Sequence, residues 1–561
     1  MLTPVLDRLL GLAKLRRMYT QSGIAGLPST QFATASLKHL QINIDGSDTL
    51  ASRLPASGPV LVLANHPLGG LEGIALAGAL SSRRPDVKLL VNTALSAVKE
   101  LSPFFIYTNP LKKSARGNLS SIRACRRHLE EGGVLVLFPA GRVSYFQKEQ
   151  NQITDHEWHR TAAQLAQLPD VQVIPLFIGG QNSTTFHLLG RIYYRFRLLL
   201  LIREMLNSQG RTITFRPGQI DTAKPPVDDL QLMTDHYRLL CYLHNPDNHQ
   251  AWAKPAAKIM HPLQPRQPAA LLAQEVDSLP VDQQLVHYKN FVVCHASQAQ
   301  IPAIVTEIQR LREENFRSLD EGSGAPFDGD EFDQTYTHLF VFDKETSRIV
   351  GAYRMGQTDQ LRQDSGNAGL YLSRMFDFSA EFVNQREPCL EMGRSFVAMD
   401  NQRSFHGLFL LFRGIGAFVC KYPRYKTLYG TVSLSTQYQP ASVHLIQQAL
   451  LNPQINTQTS GVKPKQPFSY PRVAEVERFL RQHPLTFQSL DWLVRQIEPD
   501  RKGVPILLKQ YHQLGASFHS LGIDPNFAAT PGLLLCVDLP AAPERALKRY
   551  LGDSWQSYVS S

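Results

Sequence analysis

Cysteine is scarce in this chain, and its spacing argues against two classes of protein. The sequence has 561 residues and six cysteines, without a CxxC pair or the His/Cys spacing of a metal site. Neither a disulfide-linked secreted scaffold nor a structural zinc protein is expected. A reducing compartment such as the cytoplasm is the simpler expectation.

Long apolar runs are also absent. The stretches Leu198–Ile202 and Leu408–Phe412 end at Arg203 and Arg413, far short of the roughly 18 residues that a membrane-spanning helix needs. The N-terminus lacks the form of a signal peptide, because its short apolar run leads straight into basic residues. We therefore expect a soluble protein, or one peripheral to the inner face of the cytoplasmic membrane. The mildly amphipathic segment Met1–Tyr19 either docks on that membrane or packs as an ordinary core helix.

Positive charge is concentrated in the first half of the sequence. Residues 1–220 hold 25 Lys and Arg against 13 Asp and Glu, whereas the remainder holds 33 against 35. The first half is therefore expected to face something anionic, either phospholipid headgroups or nucleic acid. No basic stripe with interleaved aromatic residues and no nucleic-acid motif is visible, so a lipid surface is favoured and no nucleic-acid partner is expected.

The order of apolar and polar segments predicts two α/β domains joined by a linker. Residues 1–240 form the first domain, 241–284 a Pro-rich linker, and 285–561 the second domain. In the first domain, with a mixed or largely parallel sheet, the predicted strands are Pro59–Ala64, Val87–Val91, Val134–Phe138 and Val171–Ile178, and the predicted helices Ile74–Leu80, Ile122–Glu131 and Leu230–Leu243. In the second, the predicted strands are Phe291–Cys294, Thr337–Phe342, Arg348–Tyr353, Pro388–Ala398 and Thr427–Ser433, and the predicted helices Pro302–Arg317 and Phe405–Lys421.

A first candidate site follows the strand that ends at Ala64. His66 and Glu72 meet if the turn between them folds back, and the carboxylate then fixes the imidazole tautomer and raises its basicity. Such a pair deprotonates a substrate hydroxyl without a covalent intermediate, and the neighbouring glycines allow a ligand to approach closely. The segment Phe138–Ser144 offers backbone N–H groups and the cation of Arg142 to an anion or oxyanion. Taken singly, His66 is also compatible with an ordinary turn histidine, and Arg142 with a surface charge.

Three segments of the first half resemble, in order and spacing, the motifs of the PlsC-like glycerolipid acyltransferases: Asn65–Gly73, Phe138–Ser144 and Val173–Leu176. The resemblance covers about residues 40–220. The signature of that family is NHxxxxD, then FPEGTR, then a VxPV element. The resemblance implies that His66 is the catalytic base and Glu72 its orienting carboxylate. It implies substrate-binding roles for Asn65, Gly69, Gly70, Phe138, Pro139, Gly141, Arg142 and Ser144.

This chain departs from the signature in three places. The acid is Glu72, one position further on than the family Asp, Ala140 replaces the Glu of FPEG, and Arg142 replaces the Thr. The missing glutamate argues against a glycerol-phosphate acceptor. The variants look like the branch of the family that acylates lyso-ornithine lipid.

A second candidate site is built from polar motifs in the second half. Glu391 and Arg394 lie in a strand-like run, where period-two alternation places them on opposite faces unless a bulge intervenes. A bulge would bring both beside one cleft and turn backbone N–H groups toward an acyl carbonyl. A buried Arg–Glu ion pair that fixes the sheet is the alternative. The acidic loop Asp328–Asp333 lacks the spacing of a calcium-binding EF-hand, so no metal is expected.

These motifs resemble the GNAT-like fold of acyl-homoserine-lactone synthases and, more closely, ornithine N-acyltransferases, over about residues 285–555. The resemblance implies that a substrate amine attacks a thioester and that Glu391 removes the amine proton, directly or through water. It assigns binding roles to Arg317, Asp330, Asp333, Arg354 and Arg394.

The acyl donor is expected to be carried by acyl carrier protein rather than CoA. The segment Met399–Gly407 fits poorly the loop with which CoA-using GNAT enzymes hold pyrophosphate, and no bound cofactor is expected. Basic residues that either meet the acidic carrier protein or form a solvated face are Arg403, Lys421, Arg424 and Lys426.

A chain with both halves resembles the fused ornithine-lipid synthases. The resemblance implies that the second domain joins a 3-hydroxyacyl group to the α-amine of ornithine, and that the first domain then acylates the 3-hydroxyl of this lyso-ornithine lipid. One alternative is a single-activity enzyme, acting on a lysophospholipid or on an amino acid such as glycine or glutamine, whose other domain only docks on a membrane or carrier protein. Another is a membrane-active or nucleic-acid-binding protein without catalysis.

Overall fold

The structure, a computed structural model, describes residues 10–108, 115–192, 194–248, 251–252, 259–402, 406–452 and 461–561. The chain divides into two units, each built around its own sheet. The first unit takes in Met1–Gln250 and Pro471–Gly503, and the second takes in Ala251–Tyr470 and Val504–Ser561.

A seven-stranded sheet forms the centre of the first unit. Its central strand Val60–Ala64 pairs in parallel with Val134–Leu137 on one side and Gln172–Gly179 on the other. All five residues of the central strand are buried, as expected for an apolar run covered on both faces. Across the sheet the strands are Asn43–Asp45, Thr212–Pro217, Gln172–Gly179, Val60–Ala64, Val134–Leu137, Val87–Asn92 and Phe105–Thr108.

Helices cover this sheet, and one pairing in it is antiparallel, between Gln172–Gly179 and Thr212–Pro217. The predicted mixed, largely parallel sheet is confirmed, and so are its four predicted strands. The helices of the first unit are Leu12–Gln21, Ser29–His39, Ser47–Arg53, Gly70–Ser81, Ala115–Glu130, Thr161–Ala166, Thr184–Ile192, Tyr194–Asn207, Leu230–Leu243, Ala474–Gln482 and Phe487–Ile497. Part of the predicted first helix, Met1–Tyr19, lies outside the described residues.

Two helices from the second half of the sequence therefore belong to the first unit. Ala474–Gln482 and Phe487–Ile497 pack on Leu230–Leu243, where the ring of His236 lies 4.9 Å from that of Phe479. The predicted boundaries assign this stretch to the second domain. Amphipathic periodicity shows that a helix needs an apolar partner but does not say which partner, so the sequence pattern could not make this assignment.

An eight-stranded sheet forms the centre of the second unit. Every neighbouring pair is antiparallel except Cys389–Val397 with Thr427–Ser433. Phe340 and Phe342 pack in the core beneath the helix Pro302–Ser318, whereas Leu339 faces Gly414 of another helix. Since alternate residues of a strand point to opposite faces, the sheet has a helix on each face. Its strands in order are Gln284–Tyr288, Phe291–Ala296, Thr337–Asp343, Arg348–Gln357, Cys389–Val397, Thr427–Ser433, Thr530–Asp538 and Ser517–Asp524.

Each strand predicted in the second half is present, and the mixed α/β architecture is confirmed. The helices are Ala269–Ser278, Pro302–Ser318, Thr358–Ser365, Val383–Arg386, His406–Lys421, Pro440–Leu450, Ile506–Gln513, Glu544–Leu551 and Trp555–Ser560. Two-stranded ribbons pair Tyr145–Gln147 with Gln152–Thr154 and Phe376–Phe378 with Val462–Pro464.

The later part of the predicted linker packs within the second unit. Helix Ala269–Ser278 buries Leu272 and Val276 in the core. Glu275 also accepts hydrogen bonds of 2.8 Å from the backbone N–H groups of Ala303 and Ile304, which caps the next helix. Prolines dominate the composition of the linker, but its few apolar residues are spaced to bury one helical face. Among the described residues, no helix is both long and apolar enough to cross a membrane.

Candidate functional sites

His66 and Glu72 come together at the carboxyl end of the central strand of the first unit. The chain turns at Gly69 and begins the helix Gly70–Ser81. Because Glu72 lies in the first turn of that helix, its carboxylate reaches back to Nδ1 of His66. The backbone N–H of Leu68 donates to its other oxygen at 2.7 Å. The local sequence therefore builds the pair that its spacing predicts.

Gly69 is the glycine that this turn requires. Its φ of 88° lies in the region that favours glycine, and a Cβ there would lie 2.8 Å from Cδ2 of Leu201. A Cβ at Gly70 would lie 3.9 Å from Cδ2 of Leu95, an ordinary contact. The conformation of the loop thus depends on the first glycine and tolerates a side chain at the second.

The environment of His66 suits a base. The Glu72 side chain is fully buried, whereas 19% of the His66 side chain is exposed. Burial by itself lowers the pKa of His66, but the Glu72 carboxylate outweighs it and holds that pKa above its ordinary value. With Nδ1 engaged by the carboxylate, Nε2 is the ring nitrogen that remains to accept a proton.

Phe138 completes one wall of this site. It follows Val134–Leu137, a parallel neighbour of the central strand, so both strands end at the same edge of the sheet. The Phe138 ring stacks on the imidazole of His66 with centroids 4.5 Å apart. Arg142 is exposed in the same segment, and Gly141 has a φ of 63°. The backbone carbonyl of Pro139 accepts a hydrogen bond from the N–H of His159 at 3.0 Å.

Two predicted substrate-binding residues have structural partners instead. The side-chain amide of Asn65 exchanges hydrogen bonds with the backbone of Ile178 at 2.9 and 2.6 Å. Ser144 is buried, and its hydroxyl donates to Asp155 at 2.5 Å. Both side chains fix the loops on either side of His66.

Asp155 is the residue that sequence reasoning missed in this site. Its Oδ1 accepts the backbone N–H of His66 at 3.1 Å, and its Oδ2 accepts the indole N–H of Trp158 at 2.9 Å. It is fully buried and lies 89 residues from His66 along the chain. No local motif marks such a residue, because its role depends on tertiary structure.

The second site contains the bulge on which the sequence argument depends. In the pairing of Arg348–Gln357 with Cys389–Val397, Ala352 faces Phe396 and Arg354 faces Gly393. Tyr353 therefore faces two residues, and Arg394, one of the two, has a φ of 49°. Glu391 and Arg394 consequently line one cleft of the second unit.

The cleft lies where two parallel strands separate. Pairing between Cys389–Val397 and Thr427–Ser433 extends from Cys389 to Met392, opposite Gly430. Residues that follow on both strands, including Gly393 and Thr431, line the cleft. Strand separation with a bulge presents backbone N–H groups to a ligand, an arrangement suited to holding an oxyanion.

Glu391 lies buried at this cleft. Its oxygens accept the hydroxyls of Tyr336 and Tyr429, both at 2.7 Å, and the backbone N–H of Leu372 at 3.2 Å. Burial raises the pKa of Glu391 above its ordinary value, against the opposing effect of the tyrosine hydroxyls. A carboxylate with a raised pKa is a stronger base toward an ammonium proton.

Arg354, Asp330 and Asp333 form one buried network. Nη1 of Arg354 bonds to Asp330 and lies 3.1 Å from Oδ1 of Asp333. Arg312 also donates to Asp333, at 2.8 and 2.6 Å. Burial opposes ionisation of Asp333, but Arg312 and Arg354 outweigh it and hold its pKa far below the ordinary value. Sequence reasoning missed Arg312, which the helix Pro302–Ser318 directs at this loop.

Arg394 is less fully paired than Arg354. It donates to the hydroxyl of Tyr371 at 3.1 Å, and the carboxylates of Asp328 and Asp330 lie 3.6 and 3.7 Å away. Its Nε is buried and has no hydrogen-bond partner in the part of the chain that the structure describes. Arg394 therefore lines the cleft with part of its hydrogen-bonding capacity unused.

Arg317 does not line the cleft. It donates to Glu313 at 2.8 Å and to the carbonyl of Ala325 at 2.6 Å, whereas its neighbour Phe316 lines the cleft. Successive residues of a helix point about 100° apart, so only one of the two can face the site. The geometry of Arg317 is that of a support for the loop after the helix.

The basic residues considered for the carrier protein have partners within the second unit. Lys421 bonds to Asp282 at 2.8 Å, Arg424 to Asp359 at 3.0 Å, and Lys426 to the carbonyl of Tyr558 at 2.7 Å. Arg403 lies outside the described residues. In the described ranges, no cluster of three or more His, Cys, Asp or Glu has the arrangement of a metal site.

We expect replacement of Asp333 by asparagine to destabilise the second unit. The change leaves two buried guanidinium groups with too little negative charge, and breaking such a pair costs about 3–5 kcal/mol of unfolding free energy. Urea unfolding of the purified chain measures this loss. The control is Glu331→Gln, two residues away and exposed, which should cost no more than about 1 kcal/mol. Equal effects of the two changes would contradict the proposed network.

Comparison with known proteins yields two families and two kinds of relative. Residues 16–222 match the Acyltransferase family, and residues 311–411 match the Acetyltransferase (GNAT) domain. A glycine N(alpha)-acyltransferase of Bacteroides thetaiotaomicron is 28% identical over 263 residues, covering 44% of this chain and 77% of that protein. A lyso-glycine lipid O-acyltransferase of the same organism is 29% identical over 196 residues, covering 32% and 70%. Another, of Phocaeicola vulgatus, is 28% identical over 195 residues, covering 32% and 68%.

The fold, the two sites and these matches define the class of protein. The chain is an acyltransferase, with an acyltransferase domain toward its N-terminus and a GNAT domain toward its C-terminus. Acyltransferases of this kind need no cofactor beyond an acyl donor.

Proposed function

We propose that this chain makes ornithine lipid by two successive acyl transfers, one in each unit. The observation that carries the proposal is that each unit has its own buried carboxylate placed for proton transfer: Glu72 behind His66 in the first, and Glu391 in the cleft of the second. In Bacteroides thetaiotaomicron, N-acylation and O-acylation are named for two separate proteins, and this chain resembles both.

The second unit performs the first transfer. The α-amine of ornithine attacks the thioester carbonyl of a 3-hydroxyacyl group on acyl carrier protein, and Glu391 takes the amine proton. A C–N bond forms, the C–S bond breaks, and the thiol leaves with a proton. Arg394, which lines the cleft, binds the carboxylate of the amino acid, and backbone N–H groups at the bulge hold the oxyanion.

The first unit performs the second transfer. Nε2 of His66 takes the proton of the 3-hydroxyl of lyso-ornithine lipid as that oxygen attacks a second acyl thioester. A C–O bond forms, the C–S bond breaks, and the imidazolium returns the proton to the leaving thiol. The Glu72 carboxylate stabilises the imidazolium that forms. Exposed Arg142 meets the anionic group of the acceptor or of the membrane surface, at the inner face of the cytoplasmic membrane.

A second candidate function differs from the first in the amino acid that accepts the acyl group. Relatives named for glycine favour glycine, with either one or both units active. Ornithine is favoured by Glu321, which is buried beside Ser433 of the cleft and has one carboxylate oxygen without a hydrogen-bond partner among the described residues. Burial raises the pKa of Glu321 to about 7, and the second amine of ornithine, which glycine lacks, supplies a cation that favours the ionised carboxylate.

Lipid extracts test the proposal. The chain is expressed in a host that lacks aminolipids, grown with isotope-labelled ornithine or labelled glycine, and the extract is analysed by mass spectrometry. Label from ornithine in a lipid with one amide and one ester chain is the expected result. Label from glycine alone would show that glycine, not ornithine, is the acceptor. A lyso lipid alone would show that only the second unit is active. The absence of any new lipid would overturn the proposal.

The pH dependence of O-acylation should report the His66–Glu72 pair. His66 acts as a base only when neutral, so wild-type activity should fall as pH drops through a value above 6.5, the ordinary imidazole pKa. Glu72→Gln removes the carboxylate that raises this pKa. The acidic limb should then move to lower pH while the maximal rate falls. A kcat/KM profile on lyso lipid measures both, and an unmoved limb would count against His66 as the titrating base.

A further inference from the structure

A chain of hydrogen bonds links the helix Ala474–Gln482 to the loop beneath His66, within the first unit. Glu475 on that helix is buried and accepts from Arg238, Nε to Oε1 at 2.7 Å and Nη2 to Oε2 at 3.2 Å. Arg478 also donates to Glu475, at 2.7 Å. Burial would raise the pKa of Glu475, but the two arginines outweigh it and lower that pKa.

Arg238 carries this link to the segment Thr154–Asp155–His156. Its Nη1 donates to the carbonyl of His156 at 2.6 Å, and its Nη2 to the hydroxyl of Thr154 at 3.3 Å. The residue between them, Asp155, donates its backbone N–H to the hydroxyl of Tyr242 at 2.9 Å. Its side chain in turn accepts the backbone N–H of His66. Arg238 thus holds both neighbours of the residue that fixes the base.

We infer that Glu475, from the second half of the sequence, is a positioning residue for the first acyl-transfer site and acts through Arg238 and Asp155. The inference rests on the proposed role of His66. It means that the O-acyl-transferring unit is completed by Pro471–Gly503 and cannot be obtained by cutting the chain at the predicted linker. Without Glu475, the Arg238 guanidinium is a buried cation that lacks its counter-charge and must move.

The test uses the full chain and measures O-acylation of supplied lyso lipid and N-acylation in the same preparation. Glu475→Gln should lower kcat for O-acylation by at least about 10-fold, since small displacements of a catalytic group are costly. The KM for lyso lipid and the rate of N-acylation should stay close to wild type. The matched control is Glu477→Gln, on the same helix, whose half-buried carboxylate forms ion pairs with the exposed side chains of Arg472 and Arg481. It should leave both activities unchanged.

A second variant separates positioning from folding. Arg238→Met combined with Glu475→Met replaces the buried Arg238–Glu475 pair with apolar side chains, a change that is often neutral for stability, and Arg478 keeps the Asp235 carboxylate 3.7 Å away. The 154–156 segment then lacks the two hydrogen bonds that Arg238 donates to it. Wild-type unfolding temperature with low kcat supports the inference. Normal kcat in this variant or in Glu475→Gln overturns it. If the His66→Ala variant retains O-acylation, the proposed role of His66 as the base is wrong, and a normal kcat in the Glu475 variants is then explained by that error.

Discussion

Replacing His66 with alanine should stop ester formation while an N-acylated lyso lipid accumulates. The change removes the only ring that both contacts Glu72 and stacks on Phe138 among the described residues. General-base catalysis contributes about 10²- to 10⁴-fold, so the ester product should fall by at least about 100-fold. Mass spectrometry of lipid extracts, with single-turnover O-acylation of supplied lyso lipid, measures the loss.

His39→Ala is the matched control for this experiment. His39 lies at the exposed end of the helix Ser29–His39 in the same unit, and its replacement should change neither product. N-acylation by the His66 variant should match wild type, because Glu391 and its cleft belong to the other unit. Undiminished diacylated lipid in the His66 variant would remove it from the mechanism.

Replacing Glu391 with glutamine should abolish formation of the lyso lipid. Glutamine keeps the size of the side chain but cannot take a proton from the amine, so N-acylation should fall by about 10²- to 10⁴-fold. One of the hydroxyls of Tyr336 and Tyr429 can still donate to the amide oxygen, and the other can accept from the amide N–H, which limits the effect on folding. Transfer of a labelled acyl group from acyl carrier protein to the amino acid provides the measurement.

Supplying lyso lipid from outside should bypass the Glu391→Gln variant. Its first unit is intact, so the ester should form at the wild-type rate. Glu387→Gln, four residues earlier and exposed, serves as the control and should leave N-acylation unchanged. Lipid formed from free amino acid by the combined His66→Ala and Glu391→Gln variant would refute both site assignments.

Local chemistry made much of both sites predictable from the sequence. His66 and Glu72 are six residues apart in one turn, so the spacing indicated that they meet if that turn folds back. The position of Glu391 and Arg394 was predictable only as a condition, since period-two alternation separates them and a bulge reunites them. The φ of 49° at Arg394 shows the bulge that brings the two residues together. The sequence has no glycine at this position that would have predicted it.

Residues that act through tertiary structure could not be predicted in this way. Asp155 and Arg312 each bind a site residue that is distant in the sequence. Asp155 accepts the N–H of His66, 89 residues away, and Arg312 donates to Asp333, 21 residues away. Arg317 was expected at the second site, but the rotation of its helix directs Phe316 there instead. The assignment of Pro471–Gly503 to the first unit likewise depends on which apolar surface receives it, and a linear pattern does not contain that information.

The divided first unit has a consequence for protein synthesis. Between Gln250 and Pro471 the ribosome must translate 220 further residues, which takes roughly 10–45 s at ordinary elongation rates. Until then the apolar surface of Leu230–Leu243 that receives Phe479 and Trp492 is uncovered on the nascent chain. The first unit therefore begins to emerge first, but it can complete its fold only after most of the second half of the chain has been translated.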